Sequence, residues 1–300
     1  MRTLVLNNNN VVQNGQNNQL IYRFPTTAKF DRSYVAVASV SMYYSWFNIA
    51  DYYGNNQLQY TWTVGGVSTT FNVGTGGTPG GDIPNGLYEV STLNQLLQYT
   101  MIQNKHYLID QATGQNVYFA ELLVNDARYR VQVNTFAVPT SKPAGYDEPA
   151  GFPGYPTVTT SPAVIVPSGI GVILGFPGGY TIPAQTGGTN FQAYSQISNG
   201  VPNVQPNSSV LFSVSSVDNP YASPTSVIYS VTPSVAVGTI IADKPPQLLW
   251  NKLIPGSYSQ LTVTLLGTDL RPLQIQDGAM TIILAVAEEV EALGVMIDRK

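Results

Sequence analysis

The sequence predicts an all-β protein: a single jelly-roll β-sandwich with one short helix and an elaborated Pro/Gly-rich insertion. Three observations predict it. Roughly eight to ten short β-branched and aromatic runs are separated by turn-rich connections. Only one stretch has convincing helical spacing. No strand–helix–strand repeat is present, so a parallel α/β sheet is not expected.

The elements follow in chain order. Residues 1–20 read as an N-terminal arm, polar after a short apolar start, extended or disordered on its own. Tyr34 to Tyr44 is β-branched and aromatic, apolar on both alternating sets, and fits a strand buried on both faces. Gln57 to Val64 is a second strand. The glycine-dense run Gly74 to Asp82 is a loop. Ser91 to Gln103 is the helix: Leu93, Leu96, Leu97 and Met101 share one face, and Thr92 with Gln95 resembles a capping box. Val117 to Val124 and Tyr129 to Val138 are strands, the second with Val131 and Val133 on one face and Arg130, Gln132 and Asn134 on the other.

Residues 139–207 change character, with Pro and Gly recurring throughout. Only Ala163 to Val166 and Ile170 to Phe176 look like strands there. So long a connection reads as an insertion carried on the main barrel. Strands resume at Ser209 to Val217, where Val210, Phe212 and Val214 share a face. Val227 to Val231 and Ser234 to Ile241 follow. In Tyr258 to Leu266, Leu261, Val263 and Leu265 alternate with Gln260, Thr262 and Thr264. Ala279 to Ala287 closes the set. The expected organisation is therefore an arm at 1–20, a jelly roll from 21–138 and 208–287, the insertion at 139–207, and a tail at 288–300.

Composition narrows the function. Charged residues make up 10% of the chain, against about 25% in an ordinary soluble domain. Asn and Gln take their place, and there are 19 Tyr. A neutral, Tyr-rich surface suits burial against partners, because interface centres are aromatic and depleted in charge; a secreted β protein with a neutral exterior is the other reading. The low basic content, 13 Lys and Arg in all, argues against gripping nucleic acid, and a pair such as Arg128 and Arg130 is not a patch. No cysteine is present, which removes disulfides and thiolate chemistry together. The N-terminus has no apolar run of signal-peptide length, and no stretch is long and apolar enough to span a membrane.

Candidate chemistry is sparse. His106 is the only histidine; its neighbours Lys105 and Tyr107 form no metal-ligand spacing, and a structural role after a helix end is expected. The acids Asp147–Glu148 lie in the Pro/Gly-rich stretch, and the tail group Glu288, Glu289 and Glu291 reads as a solvated face, although any two carboxylates brought together in a fold could serve a glycosidase. No lysine precedes Ser or Thr, so the glycine loop is not a phosphate cradle. Asn207-Ser208-Ser209 is a glycosylation sequon, uninformative without a secretory signal. The aromatic pairs Tyr43–Tyr44, Trp46–Phe47 and Tyr52–Tyr53 cannot put both members into one core, because neighbours on a strand face opposite ways. Catalytic, cofactor-binding and metal-ligating residues are expected to be absent.

Four segments, in this order, carry a resemblance. They are Val37 to Ile49; Ile83 to Val90, leading into the helix; Ile170 to Pro177; and Leu261 to Leu273, running into the last strand, Met280 to Ala287. Together they resemble capsid jelly-roll proteins of virophages and Polinton/Maverick elements. The length has room for one jelly roll plus an elaboration, so the chain is similar to the minor capsid (penton) proteins of mavirus-type virophages rather than to their double jelly-roll major capsid proteins. The resemblance implies a non-enzymatic structural protein of the virion, five copies around each vertex of a small icosahedral dsDNA virus, and contacts with major capsid protein trimers. It implies no cofactor, no direct nucleic-acid role and no catalytic residue. Two other classes stay open: a carbohydrate-binding β-sandwich of a viral attachment protein, and a low-histidine hydrolase using two carboxylates.

Overall fold

The computed structural model describes residues 1–74, 81–205 and 207–289. The chain divides into two compact units: residues 1–47 with 206–300, and residues 48–205.

The first unit opens with β1 (Arg2–Leu6), β2 (Gln19–Phe30) and β3 (Ser33–Tyr43). The second unit contains β4 (Gln59–Val64), β5 (Val67–Asn72), α1 (Val90–Gln103), β6 (Tyr107–Asp110), β7 (Asn116–Tyr118), β8 (Ala120–Asn125), β9 (Arg130–Phe136), β10 (Tyr146–Asp147), β11 (Val164–Val166), α2 (Ser168–Leu174), β12 (Tyr180–Ile182) and β13 (Ala193–Ile197). The chain then returns to the first unit with β14 (Val210–Val214), β15 (Val227–Val231), β16 (Ile240–Asp243), β17 (Asn251–Lys252), β18 (Gly256–Leu266) and β19 (Thr281–Glu288).

In the first unit one antiparallel sheet runs β1-β19-β3-β16, with β17 also on β3; the other runs β15-β14-β18-β2. Since β16 and β17 both pair with β3, they fill one strand position. Numbered by position within this unit, the sheets read 1-8-3-6 and 5-4-7-2, the strand order of a jelly roll. The whole second unit is inserted between its third and fourth strands.

Alternation builds the shared core. Leu261, Val263 and Leu265 of β18, and Val210, Phe212 and Val214 of β14, are buried, as their spacing predicts. The mixed pattern of β3 has a specific cause. Val35 and Val37 are buried, then Val40 and Met42. Opposite Leu284 lies Val37, but opposite the next residue back, Ile283, lies Ser39. Ala38 is thus an extra residue, a β-bulge that moves the inward set from odd to even positions. Of the aromatic pairs, Tyr44 and Trp46 enter this core with ring centroids 4.3 Å apart, while Tyr43 and Phe47 are half-buried.

The N-terminal segment differs from the expected free arm. Arg2 to Leu6 pairs along β19, with Leu4 and Leu6 in the core. The Asn-rich run after it makes local structure. Asn7 and Asn10 form a reciprocal capping box on a short 3-10 turn. Buried Asn18 donates to the Leu273 carbonyl at 2.7 Å.

The second unit has its own core, around Tyr60, Trp62, Leu93, Leu97, Phe119, Val131, Val133, Ile170 and Phe176. The expected boundary at 139 is not where the chain divides. β9 pairs with β13, and β4 with β11. Strands on both sides of residue 139 therefore share sheets, and the Pro/Gly-rich stretch is the returning half of a unit that begins at Asn48.

Two further elements depart from expectation. Helix α1 begins at Val90 with Glu89 as a cap that makes no side-chain bond, so Thr92 lies inside the first turn and the Thr92/Gln95 box is not formed. Ile170 to Phe176 is not a strand: Ser168–Leu174 is helix α2. Ile170, Ile173 and Leu174 are buried at helical spacing while Val172 is exposed. Gly175, at φ 78°, ends the helix in the left-handed region. A β-carbon on Gly169 would collide with the Gly54 carbonyl, so backbone approach requires glycine there. Most of the Gly74 to Asp82 loop and all of the tail beyond Glu289 lie outside the described residues.

Candidate assembly surfaces and titratable groups

The one histidine sits at the centre of an aromatic cluster. His106 follows α1, is 2% exposed, stacks on Trp62 with centroids 4.5 Å apart and meets the edge of Phe71. Its Nδ1 lies 2.8 Å from the Tyr60 hydroxyl, which also accepts from Asn104 Nδ2. The hydroxyl and Nδ1 share one proton-bearing contact whose direction follows the ring tautomer. Burial pulls the imidazole down to about 3 and pushes the Tyr60 phenol up. The ring is neutral and sealed, a packing residue.

Of the acids singled out from sequence, Asp147, Glu148 and Glu289 have partners. Asp147 accepts from Lys142 Nζ at 2.8 Å and Gln111 Nε2 at 2.9 Å, which lower its pKa. Glu148 accepts from the Tyr155 hydroxyl at 2.8 Å. Burial first, and Glu148 second, raise that phenol. Glu289 lies 4.0 Å from Arg32, and Glu291 lies outside the described residues. Among the described residues no group of three or more His, Asp or Glu is placed to hold a metal ion, and no helix is long and apolar enough to cross a membrane.

The sheet edges of the jelly roll differ in character. The β2 edge contains Pro25 and carries Arg23 and Lys29, and its start is covered by a bridge from Val11; such features blunt edge pairing. The edge formed by β16 and β17 is unlike it. From Val231 to Ala242 no charged residue occurs. Val235, Val237 and Ile240 are exposed there, and Leu249 and Ile254 are exposed on either side of β17. Asp243 ends β16, and Lys244 and Lys252 are exposed beyond it, so the neutral, apolar part of this edge is the entry into β16, a template for association.

Among the solved structures similar to this chain is that of a selenomethionine-labelled mavirus penton protein. The comparison covers 95% of this chain and 98% of that one, at 9% sequence identity and a TM-score of 0.40. No protein-family model and no curated protein sequence matches the chain. The jelly-roll assignment rests on strand order and register, independently of that comparison.

The four segments of the sequence resemblance take distinct places. The first forms the second half of β3 and the passage out of the jelly roll. The second leads into α1, with the Tyr88 hydroxyl folded back onto the Pro84 carbonyl at 2.8 Å. The third is α2 and its cap. The last is β18 and the turn closed by Gly267 N–H to the Arg271 carbonyl. The edge at β16–β17 was not singled out from sequence. Its signal was a charge-free apolar run, which looks the same in a core strand.

Proposed function

We propose that this chain is a structural capsid protein that forms the pentameric vertices of a small icosahedral dsDNA virus, associating with itself and with double jelly-roll major capsid protein. It acts without catalysis or cofactor and resides in the virion, assembled inside the infected cell. The observation that carries the reading is the jelly roll with an open edge at β16, where Ile240 is exposed at the end of the charge-free run Val231 to Ala242. A ring of copies needs one repeated heterologous contact, an edge of one subunit on a different face of the next. The neutral apolar run that leads into β16 desolvates at little cost when covered. The four segments that resemble virophage capsid proteins name the group of viruses.

The test is the absolute mass of the purified chain by light scattering across a range of concentrations. The expected species is five times the 32.4 kDa monomer. A monomer at every concentration that major capsid protein also fails to recruit into particles overturns the reading.

A further inference from the structure

A cleft of about 420 Å³ opens on the inserted unit, lined by Gln98, Asn116, Val117, Tyr118, Glu121, Phe136, Tyr146 and Phe191. Its size falls within the range of small-molecule sites, roughly 300–1,000 Å³. Its residues come from α1, β7, β8, β9, β10 and the turn before β13, so tertiary structure alone assembles it.

The rings are fixed in place. Phe191 N–H donates to the Ala137 carbonyl, and Phe136 N–H to the Phe119 carbonyl, both at 2.9 Å. The Phe191 ring lies 4.8 Å from Tyr146 and 5.9 Å from Phe119 between centroids. Phe191 holds φ 61°, a conformation unfavourable for a bulky side chain and concentrated where function maintains it. The polar groups are equally set. Asn134 Nδ2 donates to Glu121 Oε1 at 2.8 Å, while Ser195 Oγ and Gln132 Nε2 donate to Asn134 Oδ1. Asn116 donates to the Tyr118 hydroxyl at 3.2 Å. Among the described residues, Glu121 Oε2, the Gln98 side-chain amide and Asn116 Oδ1 have no hydrogen-bond partner within the protein.

The geometry points to a binding site for a neutral pyranose of a cell-surface glycan. Such a sugar presents C–H groups on one ring face and hydroxyls around its rim. The C–H groups, slightly positive, suit the negative face of an aromatic ring. The hydroxyls suit amides and a carboxylate that still have bonding capacity. Glu121 is the only charged lining residue, so no cation is available for a sialic acid carboxylate or a sulfate, and an anionic sugar meets repulsion. This site lies within one unit and does not depend on the vertex reading.

Saturation-transfer NMR on the full chain tests it, with methyl β-galactopyranoside, methyl α-mannopyranoside and N-acetylglucosamine as neutral probes and N-acetylneuraminic acid as the charged control. The expected result is saturable transfer to at least one neutral sugar, with half-saturation on the order of 1 mM, and none to the acid. Phe191→Ala is expected to weaken binding about tenfold through loss of an apolar wall of the cleft and of the support it gives Tyr146. Gln98→Ala replaces a half-buried helix residue whose side chain makes no internal hydrogen bond. It is expected to weaken binding severalfold with an unchanged melting profile. Absence of saturable transfer to every neutral sugar overturns the assignment. So does equal transfer to the acid, or binding by Gln98→Ala equal to that of the parent.

Discussion

The side-chain amide of Asn48 donates to the Val204 carbonyl at 2.7 Å, tying the first residue of the inserted unit to its penultimate one. The same amide donates to the Tyr88 carbonyl at 2.7 Å and accepts from Tyr88 N–H at 2.9 Å. One buried side chain thus closes the unit's two ends onto its interior. On the jelly-roll side, Trp46 Nε1 donates to the Asn207 carbonyl at 3.1 Å, closing the other pair of ends. A segment with adjacent ends and its own core has what independent folding requires.

Residues 48–205 expressed alone are therefore expected to fold cooperatively. Circular dichroism melting and dispersed amide NMR signals would show it. Asn48→Ala in that fragment strands three backbone groups and is expected to cost about 1–3 kcal/mol in urea denaturation. A fragment without a cooperative transition would show that the insertion depends on the jelly roll.

The His106 ring makes stability depend on pH in a defined direction. Its folded pKa, about 3, lies below the 6.5 of a free imidazole. The unfolded chain therefore binds a proton that the folded chain refuses between those values. His106 contributes fully above pH 6.5, and its contribution falls as pH drops toward 3, by roughly 1.4 kcal/mol per pH unit. Comparing urea midpoints of the parent and His106→Gln at pH 7.5, 5.5 and 4.5 isolates this from the carboxylates. The parent should lose its advantage steadily below pH 6.5; a pH-independent difference would mean the ring is protonated in place.

Glycine substitutions separate backbone strain from steric fit within the inserted unit. Gly114 has φ 70° and open space where a β-carbon would go, whereas a β-carbon on Gly175, at φ 78°, would strike the Gly200 carbonyl. Gly114→Ala should cost about 1–2 kcal/mol, the price of a left-handed residue alone. Gly175→Ala should cost clearly more, because backbone at Gly200 must also move. Equal denaturation midpoints for the two variants would contradict that packing.

What the sequence revealed followed the range of each interaction. The alternation of Leu261, Val263 and Leu265, and the apolar face of α1, depend on neighbours within a few residues and were legible. Helix α2 was misread because one short apolar run satisfies both periods; its deciding signs were exposed Val172 and the Gly175 cap. The insertion boundary was hidden for another reason. It depends on Val133 facing Gln196, and on β3 facing β19 across most of the chain, pairings that leave no local trace. The same holds for the cleft at Tyr146 and Phe191. His106 was legible as structural, but its partners Tyr60, Trp62 and Phe71 were not.

The open edge at β16 gives the sharpest test of assembly. Ile240 is 49% exposed, on a strand whose inner side already pairs with β3 through Tyr43. Its neighbour Ile241 carries the core contact instead. Ile240→Lys therefore leaves the fold nearly untouched, within about 0.5 kcal/mol by urea denaturation, as exposed substitutions generally do. A charge at that position opposes coverage by another subunit, which is how natural sheet edges are kept apart. Light scattering should then show a monomer where the parent shows a ring. Val5→Lys places the same charge on exposed β1, at the opposite edge of the same sheet. If the ring uses both edges, each variant alone abolishes it. If Ile240→Lys assembles as the parent does, the β16 edge is not the contact.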